Sequence, residues 1–438
     1  MTTFLGGDHS MNRFAERLKR VYTIIQSYCF LIEGRMSAEK FSRKSKLGFA
    51  ETCLMILRGS KRSLQAAIYT FLGEIKSEVD TYSKQAFSER RQYIKPEAFL
   101  TLFRSITEDF YEDQPESIKT FRGMHLFAID GTAYNLPNTK DLQEIYGVQT
   151  SSGAPQTQAK GSCLYDILNN MLIDVQMCPI RTNERKLAIQ HLNYLHGLKP
   201  DNNLVIFDRG YPSLELIRYF DDHQMNYLMR CNKKEFIREL RGVEGTDTVL
   251  NLRDRKIPDT KEKMSTSIRV LQFPLNDGTV ETLITNILDD SFTVEDFKHL
   301  YHLRWSIEEK YDELKNKMKI EAFSGTTPLA VLQDFYATMF LTNMIAFAEM
   351  DCQTQTDSES QTPENKYEYR INKSMAIAAV KDSFISLLME QNPQRQQHAL
   401  QKLTKRLLAS TIPQRPGRTF ERRRKHTALK FPQNRKDV

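Results

Sequence analysis

The spacing of apolar residues divides the chain into stretches of different texture. Across residues 12 to 110 the apolar positions recur at helical intervals. Leu64, Ile68, Phe71 and Leu72 form a stripe behind Ser63, whose hydroxyl can cap a helix start, and Ser83 can cap another helix containing Phe87. From residue 121 the pattern changes to short apolar runs. Leu126-Phe127-Ala128-Ile129 and Leu204-Val205-Ile206-Phe207 lack alternation, as strands covered on both faces do, and each is followed by an aspartate. Between them, Ser162 to Leu168 and Met171 to Met177 flank Asn169-Asn170 as a hairpin, and Glu184 to Leu195 has helical periodicity. The order β-β-β-α-β predicts an α/β sheet. Ile268 to Leu275 and Thr279 to Leu288, on either side of Asn276-Asp277-Gly278, predict a second hairpin, while Lys233 to Lys263 is charged and irregular. A helix is expected from about Thr293, with Asp296 completing a capping box, to about Lys319.

These textures predict a multidomain chain. It divides into a helical N-terminal region over 1–120, an α/β core in two parts (121–231 and 291–350) around a β-rich insertion (232–290), a polar linker over 351–365, and a helical C-terminal region with a basic tail over 366–438. With 438 residues, 40% of them hydrophobic, there is room for about three domains of ordinary size. The longest apolar stretch, Thr338 to Met350, is too short to span a bilayer and contains Thr342 and Asn343, and the N-terminus has no compact apolar secretory segment. A cytoplasmic protein with no membrane partner is expected. Six scattered cysteines without a Cys-x-x-Cys pair suggest neither a zinc ribbon nor a disulfide framework.

The net charge of +7 is unevenly placed: residues 402 to 438 carry +10, leaving the remainder near −3. The run Arg422-Arg423-Arg424-Lys425 reads as an arm for a polyanion, with a merely solvated tail as the alternative. In the N-terminal region, Lys84, Gln85 and Arg91 lie on or beside a short helix that could enter a DNA groove, or could simply pack.

The candidate chemistry lies at Asp130, Asp208 and one helix. Asp-Gly after a strand can be only a turn, but two such aspartates leaving neighbouring buried strands mark the binding edge of an α/β sheet. In the helix, setting Tyr301 at zero and advancing about 100° per residue puts Arg304, Glu308 and Lys315 within an arc of roughly 60° beside it. Leu303, Ile307, Tyr311, Leu314 and Met318 form the adjacent apolar stripe; His302, Glu309, Lys310, Glu313 and Lys317 project toward solvent. A salt-bridged surface helix would not need such segregation. Two Asp and one Glu beside cations suit phosphoryl transfer, in which carboxylates hold two Mg²⁺ and bases fix the phosphodiester.

The motif Y-x2-R-x3-E-x6-K formed by Tyr301, Arg304, Glu308 and Lys315, with Asp130 in IDGT and Asp208 in FDRGY, resembles insertion-sequence transposases of the DDE class, specifically the insertion-sequence-four family. Tyr367 to Asn372 resembles the segment after the core, and Ser63 to Gln65 with Ser83 to Arg90 resembles the end-binding domain. The resemblance implies an RNase H-like catalytic core in which Asp130, Asp208 and Glu308 bind two Mg²⁺, with Mn²⁺ as a substitute. It implies that Arg304 and Lys315 hold the transposon-end backbone and that Tyr301 contacts a neighbouring phosphate. Residues 1–120 would bind the inverted-repeat ends, and a homodimer would cut double-stranded DNA there and join the 3′-hydroxyl to target DNA, near the bacterial nucleoid. Some relatives set an aromatic residue of the insertion against a displaced base; here the insertion holds Phe236 and Phe273 and no tryptophan. Two other classes stay open, an RNase H-like nuclease without strand transfer and an inactive DNA-binding inhibitor.

Overall fold

The computed structural model describes residues 12–414 except 44, 60–62, 76–80, 114–117, 151–154, 199–201, 232–236, 241–242, 244, 258–261, 276–277 and 361–366. The basic run Arg422 to Lys425 and Phe236 lie outside the described residues.

The N-terminal region is helical: α1 (Asn12–Gln26), α2 (Tyr28–Gly34), α3 (Phe49–Arg58), α4 (Leu64–Glu74), α5 (Lys84–Arg91) and α6 (Glu97–Asp113). The expected caps form, the Ser63 hydroxyl accepting from Ala66 N–H and the Ser83 hydroxyl from Ala86 N–H.

The sheet follows as β1 (His125–Asn135), α7 (Lys140–Tyr146), β2 (Val148–Gln149), β3 (Gln156–Asp166), β4 (Met171–Pro179), α8 (Glu184–Leu198), β5 (Asn203–Phe207), α9 (Leu214–Asp222) and β6 (Asn226–Arg230). Asn170, with φ of 54°, turns the β3–β4 hairpin as its asparagine pair predicts. The chain continues through α10 (Ile237–Leu240), β7 (Asp247–Lys256), β8 (Lys263–Pro274) and β9 (Val280–Thr285). Strand order is β2-β3-β1-β5-β6-β9-β8-β7, with β4 beside β3. Among the described residues parallel pairing is confined to β1–β5 and β5–β6, so the unalternating apolar runs lie at the centre of a mixed sheet.

Three sequence expectations change here. The insertion is no separate β unit: β9 pairs with β6 through Leu228, Met229 and Arg230, so three strands lengthen the core sheet. Within the stretch read as irregular, β7 is a strand, which its largely exposed position and its charged second half conceal. Moreover, β1 does not end at Ile129 but continues past Asp130 to Asn135 because β3 pairs with it throughout.

The second half contains α11 (Val294–Leu303), α12 (Trp305–Asp312), a π-helical turn (Glu313–Lys317), α13 (Pro328–Ser360), β10 (Tyr369–Ile371), α14 (Lys373–Met389), α15 (Pro393–Leu408) and β11 (Thr411–Pro413). The helix expected over 293–319 is thus broken at Arg304 and widened at its end, although Thr293 and Asp296 make both bonds of the capping box. Helix α13 is long and apolar enough to cross a membrane by composition, but most of that stretch is buried inside the fold, with Phe335, Met339, Phe340, Met344 and Phe347 in the core. It also overturns the expected linker over residues 351–360, since the helix runs to Ser360, while the rest of that stretch, 361–365, lies outside the described residues. Polar residues there bond across the fold: Asp351 accepts from Phe14 N–H at 2.9 Å, and Gln353 donates to the Tyr369 carbonyl at 2.8 Å.

Candidate active site

Strand β1 carries Asp130 where its buried half passes into a half-buried one, and Asp208 follows β5 directly, so parallel pairing of these neighbours brings the two aspartates to one edge. Helix α12 and the π-helical turn after it are seated at that edge by the buried Ile307, Tyr311 and Leu314 of the expected apolar stripe, and α12 presents Glu308.

Three side chains of the motif meet the edge. Tyr301 donates its hydroxyl to Asp208 Oδ1 at 3.0 Å. Arg304, 4% exposed, donates to Glu308 Oε1 at 2.9 Å and lies 3.7 Å from Asp130 Oδ2. Lys315 donates to Thr132 Oγ1 at 2.6 Å and stands 5.5 Å from the Tyr134 ring centre; the π-helical turn sets its direction. Gly161 makes room for that ring, because a Cβ there would fall 2.2 Å from it.

The electrostatics of the two aspartates diverge. Burial pushes Asp130 up to about 6, and Asp208 and Glu308 push the same way, against the Gly131 N–H and Arg304. Burial also raises Asp208, but the Arg209 backbone N–H, Arg304, Tyr301 and Arg230 outweigh it and hold the carboxyl below its usual range. Lys315 is lowered by burial, with Glu321 and Asp312 opposing. An open cleft of about 1360 Å³ runs along the site, lined by Asp130, Thr132, Glu308 and Lys315 and by Arg13, Lys119 and Arg370 from elsewhere in the chain.

Sequence reasoning overlooked several contributors. Tyr311, placed only in the apolar stripe, donates its hydroxyl to the Asp130 carbonyl at 2.6 Å. Arg230 lies 3.8 Å from Asp208 and 3.0 Å from Glu281, a contact created by sheet pairing and carrying no local signal. Thr132, by contrast, was visible within IDGT. Two residues expected in solvent are buried: Lys310 donates to Glu313 at 3.3 Å, and Lys373 of α14 lies 3.6 Å from Glu313 and also pairs with Glu349. The C-terminal region covers that face, which helical angles alone cannot reveal. His302 and Glu309 are exposed, as expected.

The N-terminal candidates separate. Lys84 and Gln85 are exposed in the first turn of α5. Arg91 is 5% exposed and bonded to Gln333 at 2.9 Å, Ser324 at 2.6 Å and Asp334 at 2.9 Å, so it ties α5 to α13 and is not available to a groove. Phe273 of the insertion is 7% exposed, against the core.

Fold and site together define an α/β protein with three carboxylates gathered around an arginine at the edge of parallel strands. Residues 122–344 match the family model described as transposase DDE domain, and the chain belongs to that family. It is 24% identical over 275 residues to the transposase InsG for insertion sequence element IS4 of Escherichia coli (strain K12), an alignment covering 60% of each chain, and 27% identical over 143 residues to InsZ of the same strain, covering 31% of this chain and 44% of that one. The chain spans about 60% of the length of InsG. A cryo-EM structure of the piggyBac transposase synaptic complex with hairpin DNA superposes with a TM-score of 0.44 at 11% identity, over 94% of this chain and 84% of that one, a likeness too loose to inform the site.

Proposed function

We propose that this protein is a DNA transposase with an RNase H-like core, which cleaves double-stranded DNA at the inverted-repeat ends of an insertion sequence and joins the 3′-hydroxyl to target DNA. The observation that carries this is the meeting of Asp130 and Glu308, from β1 and α12, on one arginine, with Asp208 close enough to act on the ionisation of Asp130. The order β4-β3-β1-β5-β6, with β1, β5 and β6 parallel and β3 antiparallel to β1, agrees with such a core.

Among the described residues, no three His, Cys, Asp or Glu side chains already stand at metal-holding spacing. The donor chemistry nevertheless fits a hard divalent cation: Asp130, Asp208 and Glu308 offer only carboxylate oxygens, and Asp130, raised to about 6 chiefly by burial, also feels the charges of Asp208 and Glu308. Mg²⁺, or Mn²⁺ in its place, bound as a pair would supply an activated attacking oxygen and stabilise the leaving one. The protein's own groups do the positioning. Tyr301 orients Asp208, Tyr311 fixes the Asp130 peptide, and Arg304 and Lys315 are the cations beside the carboxylates that would hold a phosphodiester in line. Lys84 and Gln85, exposed at the start of α5, would read the DNA end, and two copies of the chain would bring two ends together.

The test is strand transfer. Purified protein with end-bearing duplex, target DNA and Mg²⁺ should yield both a cut end and a joined product. A cut without joining would make it a nuclease, and neither product despite end binding would make it an inhibitor.

A further inference from the structure

Beneath the site, three polar side chains that the chemistry above does not use form a continuous chain. Asp174 of β4, His191 of α8 and Ser162 of β3 are each no more than 2% exposed. Asp174 Oδ2 lies 2.8 Å from His191 Nδ1, His191 Nε2 lies 2.9 Å from Ser162 Oγ, and Ser162 Oγ stands 3.5 Å from the Asp130 carbonyl oxygen. At the other end, Arg104 of α6 donates to Asp174 Oδ1 at 3.3 Å. An acid, an imidazole and a hydroxyl in this order suggest a nucleophile, but the hydroxyl is enclosed by the core and no substrate can reach it.

The chain's direction follows from charge. Burial raises Asp174, but the hydrogen bond and charge of His191, with Arg104, outweigh it and hold the carboxyl below its usual range, so it accepts from His191 Nδ1–H. His191 Nε2 in turn holds the Ser162 hydroxyl, which stands under the Asp130 carbonyl at 3.5 Å, and the shorter bond to this carbonyl comes from Tyr311 on the opposite side, at 2.6 Å. The Asp130 peptide is thereby held between the signature helix and β3. An interior of this kind could be filled by aliphatic side chains at no cost in hydrogen bonding; a satisfied polar chain ending under one backbone group fixes that group's place instead.

We propose that His191 is a positioning residue: with Asp174 it locks Ser162 against the Asp130 peptide and so sets where the Asp130 carboxylate stands. The functional half of this rests on Asp130 being a metal-holding carboxylate, whereas the positioning half does not. A readout independent of activity exists, because the Gly131 N–H donates to Asp130 Oδ1 at 2.8 Å and its amide resonance reports that carboxylate in the His191 variants, Ser162 being itself the cross-strand partner of Gly131.

The test compares wild type, Ser162→Ala, His191→Leu and His191→Gln in the full chain. The glutamine can still bridge an acid and a hydroxyl. Measured are the Gly131 amide shift, Mn²⁺ affinity, end-DNA affinity and single-turnover cleavage, with Asp130→Asn alongside. The expected result is a displaced Gly131 amide in His191→Leu and a loss of about tenfold or more in Mn²⁺ affinity and cleavage rate for Ser162→Ala and His191→Leu, the range typical of groups that support a metal ligand. End-DNA affinity should be unchanged, with partial recovery in His191→Gln. A Gly131 amide that stays in place in folded His191→Leu overturns the proposal. A displaced amide with cleavage intact, in Asp130→Asn as well, would uphold the positioning and overturn the assignment of Asp130 to the chemistry.

Discussion

Arg304 Nη2 donates to Glu308 Oε1 at 2.9 Å, one helical turn along the same segment, while the same guanidinium faces Asp130 from the other side. The arginine thus stands among the groups it is expected to serve. In this arrangement it neutralises the two carboxylates.

Removing one ligand charge should abolish cleavage while leaving DNA contacts intact. Asp130→Asn, Asp208→Asn and Glu308→Gln are each expected to lose cleavage by at least about a thousandfold, a loss of about 4 kcal/mol in transition-state stabilisation. End binding measured by mobility shift should hold. The exposed Glu309→Gln should be silent.

For the bases, Arg304→Ala and Lys315→Ala should slow single-turnover cleavage by about a hundredfold, the effect of a displacement near 1 Å in the reacting phosphate. Arg304→Lys should recover little, because a point charge cannot replace a bidentate fork. Calorimetry with Mn²⁺ should show metal affinity kept or improved in Arg304→Ala, since the guanidinium no longer competes for Asp130 and Glu308.

Asp130 predicts a pH dependence. Its folded value of about 6 lies above the ordinary 3.8, so between these values the unfolded chain holds fewer protons and acidification stabilises the fold through this group. Metal loading has the opposite sign, since it needs the ionised form. Mn²⁺ affinity titrated from pH 5 to 8 should rise about tenfold per unit up to about 6 and then level off. In Asp130→Asn that inflection should vanish.

Lys84 and Arg91, only seven positions apart, should behave differently. Lys84→Ala and Gln85→Ala are expected to lower the preference for end DNA over random duplex with no change in melting temperature. Arg91→Ala removes the guanidinium that ties Asp334 and Gln333 to α5, although Asp334 keeps Ser324 and Gln333 keeps the Ile94 carbonyl, and should cost about 3 kcal/mol of stability, read by thermal or urea unfolding.

What the sequence disclosed and what it hid follow from the range of the forces involved. The caps at Ser63, Ser83 and Thr293, the hairpin at Asn169-Asn170 and the apolar face of the signature helix are local, and periodicity exposes them. Asp130, Asp208 and the motif of Tyr301, Arg304, Glu308 and Lys315 were legible because fixed spacings on a helix and after strands carry them. Contacts made by chain segments far apart were not. Arg91 meets Gln333 242 positions away, Tyr311 meets Asp130 181 positions away, and the buried Lys310 lies over the Tyr165 ring of β3 and beside Glu313, which Lys373 of α14 also approaches. The polar stretch from Asp351 looked like a linker because its hydrogen-bond partners, Phe14 and Tyr369, lie in other elements.

The central claim is that Asp130, Asp208 and Glu308 act together on DNA with a divalent ion. The most direct test is single-turnover cleavage and joining of labelled end-bearing duplex by wild type and Glu308→Gln, each with Mg²⁺ or with EDTA. Cut and joined products should form only with wild type and Mg²⁺; products in EDTA, or wild-type rates from Glu308→Gln, would contradict it.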